Sequence, residues 1–320
     1  MYFVDASSPD RQTKARMQRS DLHTRTCQSA AASVMKEYST SFSLAARLLP
    51  PHIRTHITSI YALVRVADEV VDGAFVGSTP AERINHLDAL QARVRDAVDC
   101  GFSTDPYVHA FAWTARRVGI GPAQWTPFFD SMRADADPQP HGPESLRTYV
   151  HGSAAVVGEM CLLAFHDGAP VPTARRAELL AGAHALGSAF QTVNFLRDLR
   201  EDTAFLGRSY LAAAPSAGLG ETRSDVREDG TALTEEWKTD VLADIRTDLR
   251  TARAAIPLLP PSVRPAVRLA HDLFAALADT LDGTAASTLA HTRVRVTPQR
   301  KLVLAAAAVG RRGLPGMVRG

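Results

Sequence analysis

Two sets of aspartates in this 320-residue chain are spaced for the binding of hard cations and, through them, of phosphate. Asp68 and Asp72 belong to Arg65-Val-Ala-Asp-Glu-Val-Val-Asp72. Asp198 and Asp202 belong to Gln191-Thr-Val-Asn-Phe-Leu-Arg-Asp-Leu-Arg-Glu-Asp202. On a helix, an i, i+4 spacing puts both carboxylates of a pair on one face, one turn apart. Like charges so placed repel, and an isolated helix gains nothing from them. Two such faces turned toward each other would make an oxygen-rich cage for divalent cations, which would in turn hold phosphate oxygens.

The neighbours of these aspartates point the same way. Tyr61, Arg65, Asp68 and Asp72 form a narrow helical stripe, with Ala62, Leu63, Val64, Val66, Ala67, Val70 and Val71 around it. The plain alternative is a solvated acidic face, but carboxylates in apolar surroundings are costly without metal or cationic partners. Gln191, Asn194, Asp198 and Asp202 form a second such face. There Asn194 offers a neutral carbonyl oxygen and Arg197 a bidentate donor for phosphate. Arg200 and Glu201 read as ordinary surface charges. In Tyr38-Ser-Thr-Ser-Phe-Ser-Leu-Ala-Ala-Arg-Leu-Leu-Pro50, hydroxyls precede an apolar helix, where they suit either phosphate binding or helix capping. Tyr149-Val-His-Gly-Ser-Ala-Ala-Val-Val-Gly158 is rich in small residues, which allow close helix packing or leave room for a long apolar ligand.

The elements that must position these groups are helices. Strand-like alternation is nearly absent, Ala, Leu and Arg dominate, and prolines punctuate the chain. Pro51 and Thr79-Pro80-Ala-Glu82 read as helix starts. Residues 1–20 are expected as a loose leader, 21–310 as one helical domain and 311–320 as a tail. The Gly/Ser/charge-rich stretch 212–232 reads as a loop, either at the mouth of a site or a plain insertion.

A hydrophobic share of 45% with 22% charged residues supplies a core. The net charge of only +2 argues against a nucleic-acid binder. Cys27, Cys100 and Cys161 are scattered and odd in number, which suggests a reducing compartment. No run of the sequence is expected to span a bilayer, and the polar N-terminus has no apolar signal region. The expected location is the cytoplasm.

Together these stretches resemble the squalene/phytoene synthase family, the head-to-head prenyl transferases. The resemblance includes Ser39-Thr-Ser-Phe42, Arg47-Leu-Leu-Pro50, both aspartate segments, Tyr149 to Gly158, Gly207-Arg-Ser-Tyr210 and Arg293-Val-Arg-Val-Thr-Pro. It is most detailed toward bacterial phytoene synthases. It implies an all-α fold, a single-domain class I isoprenoid synthase-type helical bundle around a central cavity. Carried over residue by residue, it implies that Asp68, Asp72, Asn194, Asp198 and Asp202 hold Mg²⁺, with Mn²⁺ as a substitute. It also implies that Tyr38, Ser39, Ser41, Tyr61, Arg65, Gln191 and Arg197 meet substrate diphosphate or the reacting carbons, with Tyr61 steering a cation or proton.

The implied reaction condenses two geranylgeranyl diphosphates through prephytoene diphosphate to 15-cis-phytoene, with no NADPH. The alternative is squalene or dehydrosqualene formation from farnesyl diphosphate. The chain departs from the family pattern at His151, Ala155 and Ala212; the first two are expected to reshape the prenyl channel. A non-catalytic scaffold would have lost some of the carboxylates and arginines, and all are present. A cyclising terpene synthase would carry different paired motifs. The basic and apolar run from Arg300 to Arg312 suggests peripheral membrane contact that aids product release, against the simpler expectation of a packed terminal helix.

Overall fold

The computed structural model describes residues 9–72, 74–139, 141–199, 210, 234–289 and 291–310. Among them every regular element is helical. The first is α1 (Pro9–Tyr38), followed by the short α2 (Thr40–Ala46) and by α3 (Pro51–Val71). Next come α4 (Pro80–Cys100), α5 (Pro106–Val118), α6 (Pro122–Ala136) and α7 (Pro143–Val150). A π-helical turn, His151–Ala155, joins α7 to α8 (Val156–Phe165). The chain continues with α9 (Arg176–Arg197), α10 (Glu235–Ala255), α11 (Arg264–Asp282), α12 (Ala286–Leu289) and α13 (Pro298–Gly310).

Proline starts α3 to α7 at positions where its missing N–H costs nothing. Both expected helix starts hold. Pro51 opens α3, and Thr79 caps α4 in a reciprocal box: the Glu82 amide donates to Thr79 Oγ1 at 3.3 Å, and the Thr79 amide donates to Glu82 Oε2 at 2.8 Å.

Two of the buried apolar clusters flank the site. Leu63, Phe111, Phe128, Phe129 and Met160 join α3, α5, α6 and α8, while Val193, Leu242, Ile245 and Leu281 join α9, α10 and α11. Burying each such large side chain stabilises the fold by about 1.5–3 kcal/mol. Glycines let the π-turn segment approach its neighbours. A Cβ at Gly152 would collide with the Pro127 carbonyl oxygen and Ser131 Oγ, and one at Gly158 with the Ala183 carbonyl oxygen. The small residues after Tyr149 therefore serve close packing against α6 and α9. Ser153, Ala154 and Val157 of the same segment also line a cavity.

Three expectations need correction. Residues 9–20, expected within a loose leader, are the first turns of α1. They hold helix-favouring Arg, Gln, Lys and Met with no internal Gly or Pro, so the helix continues although their described side chains are exposed. The run Pro143–Phe165 is long and apolar enough to cross a membrane by length and composition, contrary to the absence expected of the sequence. Half of its apolar window is buried inside the fold, as in a core helix. His151 and Ala155 are absent from the cavity wall: His151 is exposed and meets the His184 ring edge-on, and Ala155 is packed at the turn. Residues 1–8, Arg200 to Ser209, the 212–232 stretch and the 311–320 tail lie outside the described residues, and Asp202 and Ala212 with them.

Candidate active site

A cavity of about 1720 Å³ opens between α2, α3, α8, α9 and α11. Its chemistry changes along the two long helices that form its sides. On α3 the lining runs from Ile57, Ile60 and Val64 to Arg65, Asp68 and Asp72. On α9 it runs from Leu179, Ala183, Leu186 and Phe190 to Gln191, Asn194, Arg197 and Asp198. Both helices thus present apolar side chains first and charged ones at their C-terminal ends. From Leu179 to Phe190 the apolar wall is about 16 Å long at 1.5 Å per residue. The negative ends of two helix dipoles coincide with the carboxylates, which concentrates negative potential there.

Arginines face those carboxylates. Arg65 Nη1 lies 3.9 Å from Asp68 Oδ2 and 3.6 Å from Asp72 Oδ2, and its Nε donates to Glu69 Oε1 at 2.8 Å. Its guanidinium also sits 4.6 Å from the Tyr38 ring centroid. Burial alone would lower the pKa of Arg65, but the bond to Glu69 and the charges of Asp68, Glu69 and Asp72 outweigh it and raise it. On the other side Arg197 Nε donates to Asp198 Oδ1 at 2.9 Å, and its Nη2 to Oδ2. Tyr61 is pushed up to about 12, chiefly by burial, so its hydroxyl stays protonated near neutrality. Ser39 caps α2, accepting from the Phe42 amide at 3.1 Å, and it lines the cavity as well, so capping and site position coincide.

Of the residues singled out from sequence, Tyr38, Ser39, Ser41, Tyr61, Arg65, Asp68, Asp72, Gln191, Asn194, Arg197 and Asp198 all line this one cavity. Asp202 lies outside the described residues. Sequence reasoning missed the cations that the C-terminal segment adds. Arg293 Nε lies 2.8 Å from Asp198 Oδ1, and Lys301 Nζ donates to Thr40 Oγ1 at 2.9 Å. Arg293, Arg295 and Lys301 line the cavity too. Burial, then the charges of Arg197 and Arg295, lower the Lys301 pKa. Glu69 was missed as well, although its i, i+4 spacing from Arg65 was readable.

The donor set suits a hard divalent cation. Asp68, Asp72 and Asp198 supply carboxylate oxygens. Asn194 Oδ1 is buried with no hydrogen-bond partner among the described residues, although a buried acceptor ordinarily has one. Among the described residues no three His, Cys, Asp or Glu side chains converge into an all-protein cage. Mg²⁺ commonly uses one or two carboxylates, waters and substrate phosphates instead, and these residues fit that mode.

The family model described as squalene/phytoene synthase matches residues 35–300. The chain belongs to the squalene/phytoene synthase family. It is 34% identical over 206 residues to a phytoene synthase of Mycobacterium tuberculosis, covering 64% of this chain and 62% of that one. To a 15-cis-phytoene synthase of Paracoccus sp. it is 32% identical over 209 residues, covering 64% of each. The matched part is thus just under two thirds of the length of these curated relatives. Among solved structures, a dehydrosqualene synthase in complex with a ligand superposes with a TM-score of 0.73 at 22% identity, over 92% of this chain and 99% of that one. A squalene synthase from Alicyclobacillus acidocaldarius gives 0.64 at 22% identity, over 81% and 94%. At that identity the likeness is one of fold, the all-α isoprenoid synthase fold.

Proposed function

We propose that the chain is a prenyltransferase, a phytoene synthase that joins two geranylgeranyl diphosphates head to head into 15-cis-phytoene. One observation carries this: a long apolar cavity is lined at one end by the carboxylates and arginines of both α3 and α9, in a chain of this family. Arg65 and Arg197 donate to the phosphate oxygens of the leaving diphosphate, and the Ser39 and Ser41 hydroxyls lie beside them. Mg²⁺, or Mn²⁺ in its place, held by Asp68, Asp72, Asp198 and Asn194, would neutralise charge on the leaving diphosphate. Phe190, Leu186 and the other apolar walls exclude water that would otherwise quench an allylic cation. Tyr61 faces the same space as a neutral hydroxyl able to steer the cation.

Phytoene formation needs no reductant, so turnover is expected without NADPH. The product is an apolar hydrocarbon, and transient contact with a bilayer suits its release. The outer face of α13 supports this, with Leu302 and Val303 about two-thirds exposed beside Arg300. Its inner face packs Leu304, Ala305 and Ala308 against α2 and α11. The deciding experiment is product chromatography after incubation with the C15 or the C20 diphosphate, with and without NADPH. Phytoene from the C20 substrate is expected. Turnover of farnesyl diphosphate alone would replace this assignment with squalene or dehydrosqualene synthesis.

A further inference from the structure

We propose that Asp135, Tyr149 and Tyr210 form a proton-accepting relay in the cavity wall, taking the proton that a prenyl cation loses as it becomes a neutral alkene. The relay presupposes the cation chemistry proposed above. Asp135, in the last turn of α6, is 6% exposed. Tyr210 Oη donates to its Oδ1 at 2.6 Å and Tyr149 Oη to its Oδ2 at 2.7 Å. The two phenol oxygens lie 3.4 Å apart, and all three residues line the cavity.

The position suits the task. The Tyr210 ring stacks on Phe195, with centroids 4.2 Å apart and planes 17° apart. Phe195 directly follows Asn194 and precedes Asp198 by less than one turn. The phenols therefore stand beside the end of the cavity where the C–O bond would break. Tyr149 is fixed from behind: Ser131 Oγ donates to its carbonyl at 2.9 Å, and Gly152 allows the π-turn to approach α6. A π-turn inside a helical run commonly marks a functional position.

The chemistry balances without an oxidant or reductant. A C–H bond beside the cationic carbon breaks, and its electron pair becomes the new double bond. The released proton binds a tyrosine Oη, whose lone pairs accept while its own proton is donated to Asp135. That second proton moves onto the Asp135 carboxylate, leaving a neutral alkene, a neutral phenol and a neutral carboxylic acid. Burial first, then Asp135 and Tyr210, hold Tyr149 well above the ordinary phenol range, so it stays a protonated donor until the transfer.

The test uses the full-length chain with geranylgeranyl and farnesyl diphosphates and Mg²⁺. Diphosphate release, hydrocarbon and prenyl alcohol are measured in parallel for Tyr149→Phe, Tyr210→Phe and Asp135→Asn. The relay predicts a fall in hydrocarbon of about 10²-fold, the lower end for a general base. Diphosphate release is expected with KM within about twofold of the parent, because substrate binding and ionisation are left in place. Prenyl alcohol, from water capture of the stranded cation, rises relative to hydrocarbon. A merely structural role would lower release and hydrocarbon together and leave their ratio unchanged; that result overturns the relay. The two phenylalanine variants remove one oxygen each and keep the ring, so they decide the matter even if Asp135→Asn fails to fold. No diphosphate release by the parent protein from either substrate would overturn the proposed function and the relay with it. An active parent with unchanged product ratios in the variants would overturn the relay alone.

Discussion

Arg293 reaches back across 95 positions of sequence to place its Nε 2.8 Å from Asp198 Oδ1. The C-terminal segment thereby becomes part of the charged end of the cavity, where Arg197 bonds the same carboxylate oxygen. Arg293 also lines the cavity, and a charge-assisted hydrogen bond from it to the diphosphate would contribute about 1.5–3 kcal/mol. Arg293→Ala is therefore expected to raise KM for the prenyl diphosphate roughly tenfold to a hundredfold. Steady-state kinetics check this, and an unchanged KM would remove Arg293 from the site.

Asp68→Ala and Asp198→Ala test the two acidic sets that line the cavity. Each should lower kcat by on the order of 10²–10³, the loss seen when one electrostatic stabiliser is removed. The far-ultraviolet circular dichroism should keep its helical form, since both side chains sit at the cavity wall rather than in the cores. An Asp68→Ala, Asp198→Ala double variant with normal turnover would refute the cation-binding assignment.

Acid sensitivity should come from the far side of α3. His56 Nε2 bonds Asp167 Oδ1 at 3.1 Å and its Nδ1 meets Thr114 Oγ1 at 3.3 Å, with Arg117 and His52 also facing Asp167. Burial lowers the His56 pKa from its ordinary 6.5, more than the bond and charge of Asp167 raise it. For Asp167 burial is the largest single effect and raises the pKa, but the bonds and charges of Arg117 and His56 together lower it below 3.8. The unfolded chain thus binds protons at pH values where the folded one does not. His56 contributes its full stability above about pH 6.5 and loses it as pH falls below that; the Asp167 contribution is lost further down, below about pH 3.8. The melting temperature should fall between pH 7 and pH 5, and fall less in His56→Gln. An identical slope in that variant would clear His56 of the effect.

Gly152→Ala and Gly158→Ala should each destabilise the protein by about 1–3 kcal/mol, the usual cost of overpacking a filled core. In both cases the new methyl meets a backbone carbonyl oxygen, so backbone must shift to admit it. Thermal melts measure this. At Gly152 a loss of hydrocarbon product should accompany it, since the same turn holds Tyr149 against Asp135.

A Leu302→Ser, Val303→Ser variant should bind anionic vesicles less than the parent in co-sedimentation, with unchanged turnover of substrate in detergent. Both side chains point away from α2 and α11. Equal sedimentation would dismiss α13 as a bilayer contact.

Much of this is legible in the sequence. The i, i+4 aspartates, the arginine near each set and the proline and threonine helix starts are local patterns, and local patterns survive in one dimension. Eleven of the twelve residues singled out for the site line the one cavity, and the twelfth, Asp202, lies outside the described residues. What was missed needs the third dimension. Nothing near Asp135 in sequence hints at Tyr149 and Tyr210 as its partners, and nothing near Thr40 hints at Lys301. The roles expected of His151 and Ala155 failed because a π-turn changes which side chains face inward, and a motif read in α-helical register does not reveal that.

That turn also sets the angular phase of everything downstream of it. Each α-helical residue advances by about 100°. Holding all five residues from His151 to Ala155 in ordinary α geometry would rotate Val156–Phe165 by roughly that angle, because the π-turn absorbs one extra residue. Val157, Cys161 and Phe165 would swing off the lining, and a different row of side chains would meet a ligand. The five-residue irregularity works as a dial, and its length governs which surface the rest of the helix shows to a ligand.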